Sequence, residues 1–189
     1  MIHLVGPGAS GKSTVGNALA KRLGWRFVDL DAEFMRRFGD INGYIEQTGY
    51  EAYAGQNLEL GRELISRAGD ASVIALSSGF MVYPLDINPE YQALRQYLNS
   101  SPSTFVLLAS LEFESCVAET VRRQLMRPFS GSAAEEERKV RERFPIYSAL
   151  PVKKVATVGT VEETVEKICS MLSAQQTAAP DPPCVHAFC

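Results

Sequence analysis

Five short runs of apolar and β-branched residues punctuate the chain: "IHLVG" (2–6), "RFVDL" (26–30), "SVIALS" (72–77), "TFVLLA" (104–109) and "KKVATV" (153–158). Each is nearly continuous rather than alternating, the pattern of strands buried on both faces of a parallel sheet. Between them, helical patterns cover 12–23, 49–68, 89–99, 112–125, 134–149 and 161–173. Strands separated by helices predict βαβ units and a three-layer α/β fold with a mainly five-stranded parallel sheet. Right-handed crossovers bring the loops at the strand C-terminal ends into one crevice, where open sheets bind ligands. The last segment, "SAQQTAAPDPPCVHAFC" (173–189), reads as a flexible tail because its prolines break any helix.

A chain of 189 residues suits one domain. Its net charge of −3 gives no electrostatic reason to expect a nucleic-acid partner. No apolar run reaches the roughly 20 residues that span a bilayer, so no membrane association is expected. The first strand is expected to begin at residue 2, so no secretory signal is expected. The four cysteines, Cys116, Cys169, Cys184 and Cys189, have no regular spacing, and the expectation is a cytoplasmic, monomeric protein without disulfides.

The loop after the first strand changes the picture. "GPGASGKS" (6–13) fits G-x-x-x-x-G-K-[ST] between a strand and a helix. Gly6, Gly8 and Gly11 let the backbone N–H groups of a loop that includes Ala9 and Ser10 turn inward around phosphate oxygens. Lys12 can reach the β- and γ-phosphates, the Ser13 hydroxyl can ligate Mg²⁺, and the helix N-terminus that carries Thr14 adds partial positive charge. ATP and Mg²⁺ are the expected cofactors.

The second strand ends "FVDLDAEF", with Asp29 and Asp31 two apart. On a strand these share a face, so one carboxylate could hold Mg²⁺ and the other could take a proton from an attacking hydroxyl. The alternative is a pair of aspartates that caps the next helix.

"GPGASGKST", "LGWRFVDLD", then "RP" and "RERFPIY" in that order resemble the shikimate kinases, small P-loop enzymes of the nucleoside-monophosphate-kinase-like group. The resemblance runs over about residues 1–172 and implies a P-loop kinase domain with a substrate-binding helical segment near 31–60 and a mobile lid near 112–133. By similarity Asp29 sits beside Mg²⁺ and Asp31 contacts the acceptor hydroxyls as base or orienting group. Arg127, in the lid "MRPF", would close over the ATP phosphates, and Arg143, in "RFPIY", would pair with a substrate carboxylate. The implied reaction moves the γ-phosphoryl of MgATP to a hydroxyl of a small hydroxylated acid, shikimate by default.

Two departures from the family pattern bear on the acceptor. Three consecutive glycines after strand three are replaced by Ser77, Ser78 and Gly79, which shrinks the pocket or offers new hydrogen bonds. A Phe-Arg pair is replaced by Tyr53-Ala54, so a second arginine for the carboxylate is missing. A changed acceptor (a cyclitol, sugar acid or other polyol) therefore stays open, as do a nucleoside-monophosphate or gluconate-type kinase and a non-catalytic nucleotide-binding module. Arg62 and Arg67 could compensate but read better as surface residues. Arg138 and Arg141 read as members of solvated i,i+4 ion pairs. Trp25 reads as packing, and His3 as a residue at the core's edge. Cys184, His186 and Cys189 lack the paired spacing of a structural zinc site.

Overall fold

The computed structural model describes residues 1–126 and 132–176. Five strands, β1 (Ile2–Val5), β2 (Arg26–Asp29), β3 (Ser72–Ala75), β4 (Thr104–Leu108) and β5 (Lys153–Ala156), form one sheet in the order β2-β3-β1-β4-β5. All four pairings are parallel. The helices are α1 (Lys12–Leu23), α2 (Leu30–Phe38), α3 (Ile41–Thr48), α4 (Tyr50–Arg67), α5 (Tyr91–Ser100), α6 (Phe113–Leu125), α7 (Ala133–Ala149) and α8 (Val161–Gln176).

The alternation of side chains along each strand divides the core in two. Ile2, Leu4, Val73, Phe105, Leu107 and Val155 face Val15 and Leu19 of α1 and Ile168 of α8. Val5, Val28, Ile74, Val106 and Leu108 face the opposite layer, which includes Leu58 of α4, Leu98 of α5 and Phe144 of α7. Both faces are covered, so the strands had to read as apolar without a break. Gly16 lets α1 lie directly on the sheet: a Cβ there would stand 2.5 Å from the Phe27 ring.

Two helices depart from the sequence expectation. The periodicity marks no separate helix over 30–48, where the family resemblance implies only a helical segment near 31–60, and these residues form α2 and α3. The Asp29 carboxylate caps α2 by accepting from the N–H groups of Asp31 and Ala32, at 3.0 and 3.2 Å. Asp40 caps α3 through Gly43 N–H at 2.9 Å. Gly39 and Gly49 end these two helices at φ of 86° and 87°, a region that glycine enters without a Cβ clash. The fourth helical pattern is α6, so the segment near 112–133 expected as the lid opens with a helix whose Cys116, Val117 and Thr120 are buried. α8 continues to Gln176, three residues beyond the predicted end.

His3 lies in the central strand and is only 1% exposed, so it belongs to the core itself. Burial, helped by the nearby chain N-terminus, lowers its pKa to about 4. Trp25 packs against the α1 side of the core, as expected. The tail residues Cys184, His186 and Cys189 lie outside the described residues.

Candidate active site

The register aligns the strand ends: Asp29 lies opposite Ala75, Leu4 opposite Ala75, and Val5 opposite Val106. The chain leaves β1 toward β2 on one side, while β4 and β5 extend the sheet on the other, so the loop after β1 occupies the topological switch point. Asp29 is two strands away, about 10 Å at ordinary strand spacing.

The first loop has the backbone its glycines predict. Gly6 has φ 148°, and a Cβ there would collide with the Leu107 carbonyl. Gly11 has φ 89° and forms the N-terminal boundary of α1. Ala9 between them adopts φ 53°, a left-handed conformation that costs a residue with a Cβ roughly 1–2 kcal/mol. Lys12 is buried, and its Nζ donates to the Gly6 and Pro7 carbonyls, each at 2.8 Å. The ammonium thus sits inside the loop's curve. The Ser10 hydroxyl is fully buried and has no hydrogen-bond partner among the described residues. Gly8 lies under Gln124 of α6. Ser13 and Thr14 are exposed on the first turn of α1, which holds no acidic side chain to neutralise the helix N-terminus.

Beside this loop opens a cavity of about 260 Å³ lined by Ala9, Gly11, Thr14, Arg123, Thr157 and Thr160 among others. Arg123 of α6 forms one wall. Its guanidinium donates to Thr157 Oγ1 at 2.8 Å, Thr157 O at 3.0 Å and Glu119 Oε1 at 2.7 Å. Arg122 and Arg123 together hold the Glu119 carboxyl down at about 2. Sequence reading missed Arg123 and Thr157. Nothing local marks them, because the partners are 34 residues apart and meet only after β5 joins the sheet.

On the other side of β1 lies a second cluster. Asp31 is in the first turn of α2, not on the strand, because the Asp29 cap ends β2 and turns the chain. The shared strand face expected for the two aspartates therefore does not exist. Their roles divide instead: Asp29 caps the helix, and Asp31, half-buried, accepts a hydrogen bond from Ser77 Oγ at 2.5 Å. Ser77 in turn accepts from Asn57 Nδ2 at 3.0 Å.

Its neighbour Ser78 accepts from Arg143 Nη1 at 3.1 Å through its hydroxyl, and from Tyr147 OH at 2.9 Å through its carbonyl. Arg143 and Tyr147 stand four apart on α7, so one helix face delivers both to the same serine. The half-buried Arg143 has no carboxylate partner among the described residues. Gly79 is packed under Tyr50 and Tyr83, and a Cβ there would meet the Tyr50 hydroxyl at 2.7 Å. The serines thus supply hydrogen bonds, one of the two outcomes their sequence position left open.

Tyr53 and Ala54 are buried, Ala54 completely, and both join the core behind the cleft. Arg62 bonds to Glu59 at 3.2 Å and pairs with Glu90, and Arg67 pairs with Glu63 at 2.7 Å, so neither supplies the missing cation. Arg138 and Arg141 form solvated ion pairs with Glu142, Glu137 and Glu114. Arg127 lies outside the described residues.

Comparison with known proteins gives the family. The shikimate kinase family model matches residues 8–173. A shikimate kinase of Nitratidesulfovibrio vulgaris is 34% identical over 178 residues, covering 91% of this chain and 95% of that protein. One from Thermobifida fusca is 31% identical over 181 residues, covering 94% and 95%. Among solved structures, shikimate kinase from Acinetobacter baumannii in complex with shikimate superposes with a TM-score of 0.70 at 27% identity, covering 93% of each chain. Deoxyadenosine kinase from M. mycoides, at 14% identity and a TM-score of 0.54, shares the fold.

Proposed function

The chain belongs to the shikimate kinase family and is a small-molecule kinase, and from that premise we propose that it transfers the γ-phosphoryl of MgATP to a hydroxyl of shikimate. One observation carries the choice of acceptor class. The adjacent residues Ser77 and Ser78 each hold one functional side chain, Asp31 and Arg143 respectively. Consecutive Cα atoms are about 3.8 Å apart, so the two serines bring a carboxylate and a guanidinium to one short stretch of chain after β3. A hydroxylated carboxylic acid matches both: a hydroxyl for Asp31, and a carboxylate for the planar fork of Arg143.

Gly6, Gly8, Ala9, Ser10 and Gly11 cradle the nucleotide phosphates, with Lys12 against the terminal ones and Thr14 and Arg123 on the nucleoside side. The Ser13 hydroxyl and the second oxygen of the Asp29 carboxylate, whose Oδ1 caps α2, are hard oxygen donors that suit Mg²⁺, which commonly takes one or two protein oxygens and completes its shell with phosphates and water. When bound, the ion would neutralise charge on the phosphates. The family resemblance assigns Arg127 the role of neutralising charge on the migrating phosphoryl group. The acceptor oxygen forms its bond to the γ-phosphorus as the bond to the β–γ bridging oxygen breaks. ADP leaves, and Asp31 takes the hydroxyl proton. Positioning and electrostatics suffice for such a reaction.

A second reading, the same transfer to another polyol acid, is favoured by one feature: Ala54 stands where the family has an arginine and is sealed in the core. A single carboxylate anchor should weaken acceptor binding about ten- to a hundredfold. The small-molecule acceptor is the partner in either reading. No helix among the described residues is long and apolar enough to cross a membrane. Cys116 and Cys169 are free thiols, which suits a reducing compartment, and we read the enzyme as cytoplasmic and monomeric.

The test is ADP release from MgATP with and without shikimate, beside a panel of cyclitols, sugar acids and nucleoside monophosphates. Shikimate should stimulate release strongly. Turnover on another panel member and none on shikimate would establish the second reading.

A further inference from the structure

The cleft contains a hydrogen-bonded chain that the transfer reaction does not by itself require. Tyr83 OH donates to Asn57 Oδ1 at 3.0 Å, Asn57 Nδ2 donates to Ser77 Oγ at 3.0 Å, and Ser77 Oγ donates to Asp31 Oδ1 at 2.5 Å. Its three buried members, Tyr83, Asn57 and Ser77, come from α4 and the loop after β3. Asn57, Ser77 and Tyr83 are 0, 1 and 3% exposed.

The direction of the chain follows from the chemistry of its ends. An ionised carboxylate only accepts, so Ser77 must spend its one proton on Asp31. The serine oxygen must then accept, which obliges Asn57 to present its amide N–H₂ rather than its oxygen. The Asn57 oxygen in turn needs a donor, and Tyr83 supplies it. Burial, with the neighbouring Tyr53, Tyr50 and Asp31, pushes the Tyr83 hydroxyl far above its usual pKa, so it keeps its proton. Reversing any member would set two acceptors against each other in a buried place, where an unmet polar group is costly.

We infer that Tyr83, Asn57 and Ser77 are positioning residues that fix the rotation of the Asp31 carboxylate, and so the direction in which it meets the acceptor hydroxyl. The inference rests on the proposed role of Asp31. The serine does what a glycine at this position cannot, because only a side chain can hold Asp31 from behind.

The experiment measures kcat and KM for MgATP and for shikimate, or for the panel acceptor that supports turnover, with a melting curve for each protein. The variants are Ser77→Ala, Ser77→Thr, Tyr83→Phe and the Ser77→Ala/Tyr83→Phe double variant. Ser77→Ala should lower kcat about tenfold with KM for MgATP within about twofold, and Ser77→Thr, which keeps the hydroxyl, should return to within about threefold. Tyr83→Phe should lose less, and the double variant no more than Ser77→Ala alone, because both cut one chain. Equal losses in the alanine and threonine variants, or a double loss equal to the product of the single ones, would overturn the inference. Tyr83→Phe keeps the ring volume and carries the test if Ser77→Ala fails to fold; unchanged kcat would then overturn it. Asp31→Asn separates the two readings. Full turnover in Asp31→Asn removes Asp31 from the reaction, whereas an inactive Asp31→Asn beside a Ser77→Ala of normal kcat removes only the positioning chain.

Discussion

The two halves of the proposed cleft, one assigned to the nucleotide and one to the acceptor, are built by different means. The nucleotide half is mostly backbone: a loop bent by Gly6 and Gly11, a helix N-terminus without acidic neighbours, and one lysine folded into the curve. The acceptor half is mostly side chain: Asp31 from α2, Asn57 from α4, Ser77 and Ser78 after β3, and Arg143 with Tyr147 from α7. A backbone cradle needs only local sequence and tolerates no change at its glycines. An assembled cleft can be retuned one residue at a time. That contrast explains how one chain keeps an unaltered phosphate loop beside an acceptor site that departs from its family.

The largest effect should come from the nucleotide half. Lys12→Ala removes the cation from the loop and leaves the Gly6 and Pro7 carbonyls without their buried donor. Turnover should fall about a hundred- to a thousandfold, the usual loss when one preorganised donor to a developing charge is removed. The fall should be the same for every acceptor in a steady-state panel. A loss that varied strongly from one acceptor to another would erase the functional boundary between the halves.

The same contrast sets what could be read from the sequence. The phosphate loop, all five strands and α1 are local patterns, and they appear in the structure within a residue or two of expectation. The helical segment expected near 31–60 was not resolved into α2, α3 and α4, although the signals for the breaks are present: aspartates at the N-caps of α2 and α3 and Gly39 and Gly49 at their ends. Asp29-Leu30-Asp31 could be read by a two-residue period or as a cap, and for Asp29 the cap is what forms. Asp31 nevertheless meets Ser77, because the first turn of α2 carries it there by another route. Arg143 and Ser78 were each legible, but not as a pair, since they are 65 residues apart and meet only across the packed face of α7. Asn57 and Tyr83 carried no signal at all. A buried amide and a buried phenol become noticeable only once their partners are known.

The acceptor half is broken most directly at its cation. Arg143→Ala should raise KM for shikimate about ten- to a hundredfold, the value of one charge-assisted contact, while KM for MgATP stays within about twofold. Arg143→Lys should recover little of this, since an ammonium cannot offer the paired donors of a guanidinium. If both KM values rose together, α7 would be coupling the two halves.

Ser78→Ala is the finest cut. The hydroxyl touches no reacting atom in this reading; it accepts from Arg143 Nη1, while the Ser78 carbonyl still holds Tyr147 and keeps α7 in place. Losing the hydroxyl should therefore leave the fold and kcat alone and free only the guanidinium to swing. KM for shikimate should rise about threefold, less than a full hydrogen bond to a charged group, because water replaces the serine oxygen at a half-exposed site. Melting and initial-rate measurements decide it. A fall in kcat without a change in KM would mean that Ser78 acts on the transfer step, and the division between a cation that anchors and a carboxylate that reacts would have to be redrawn.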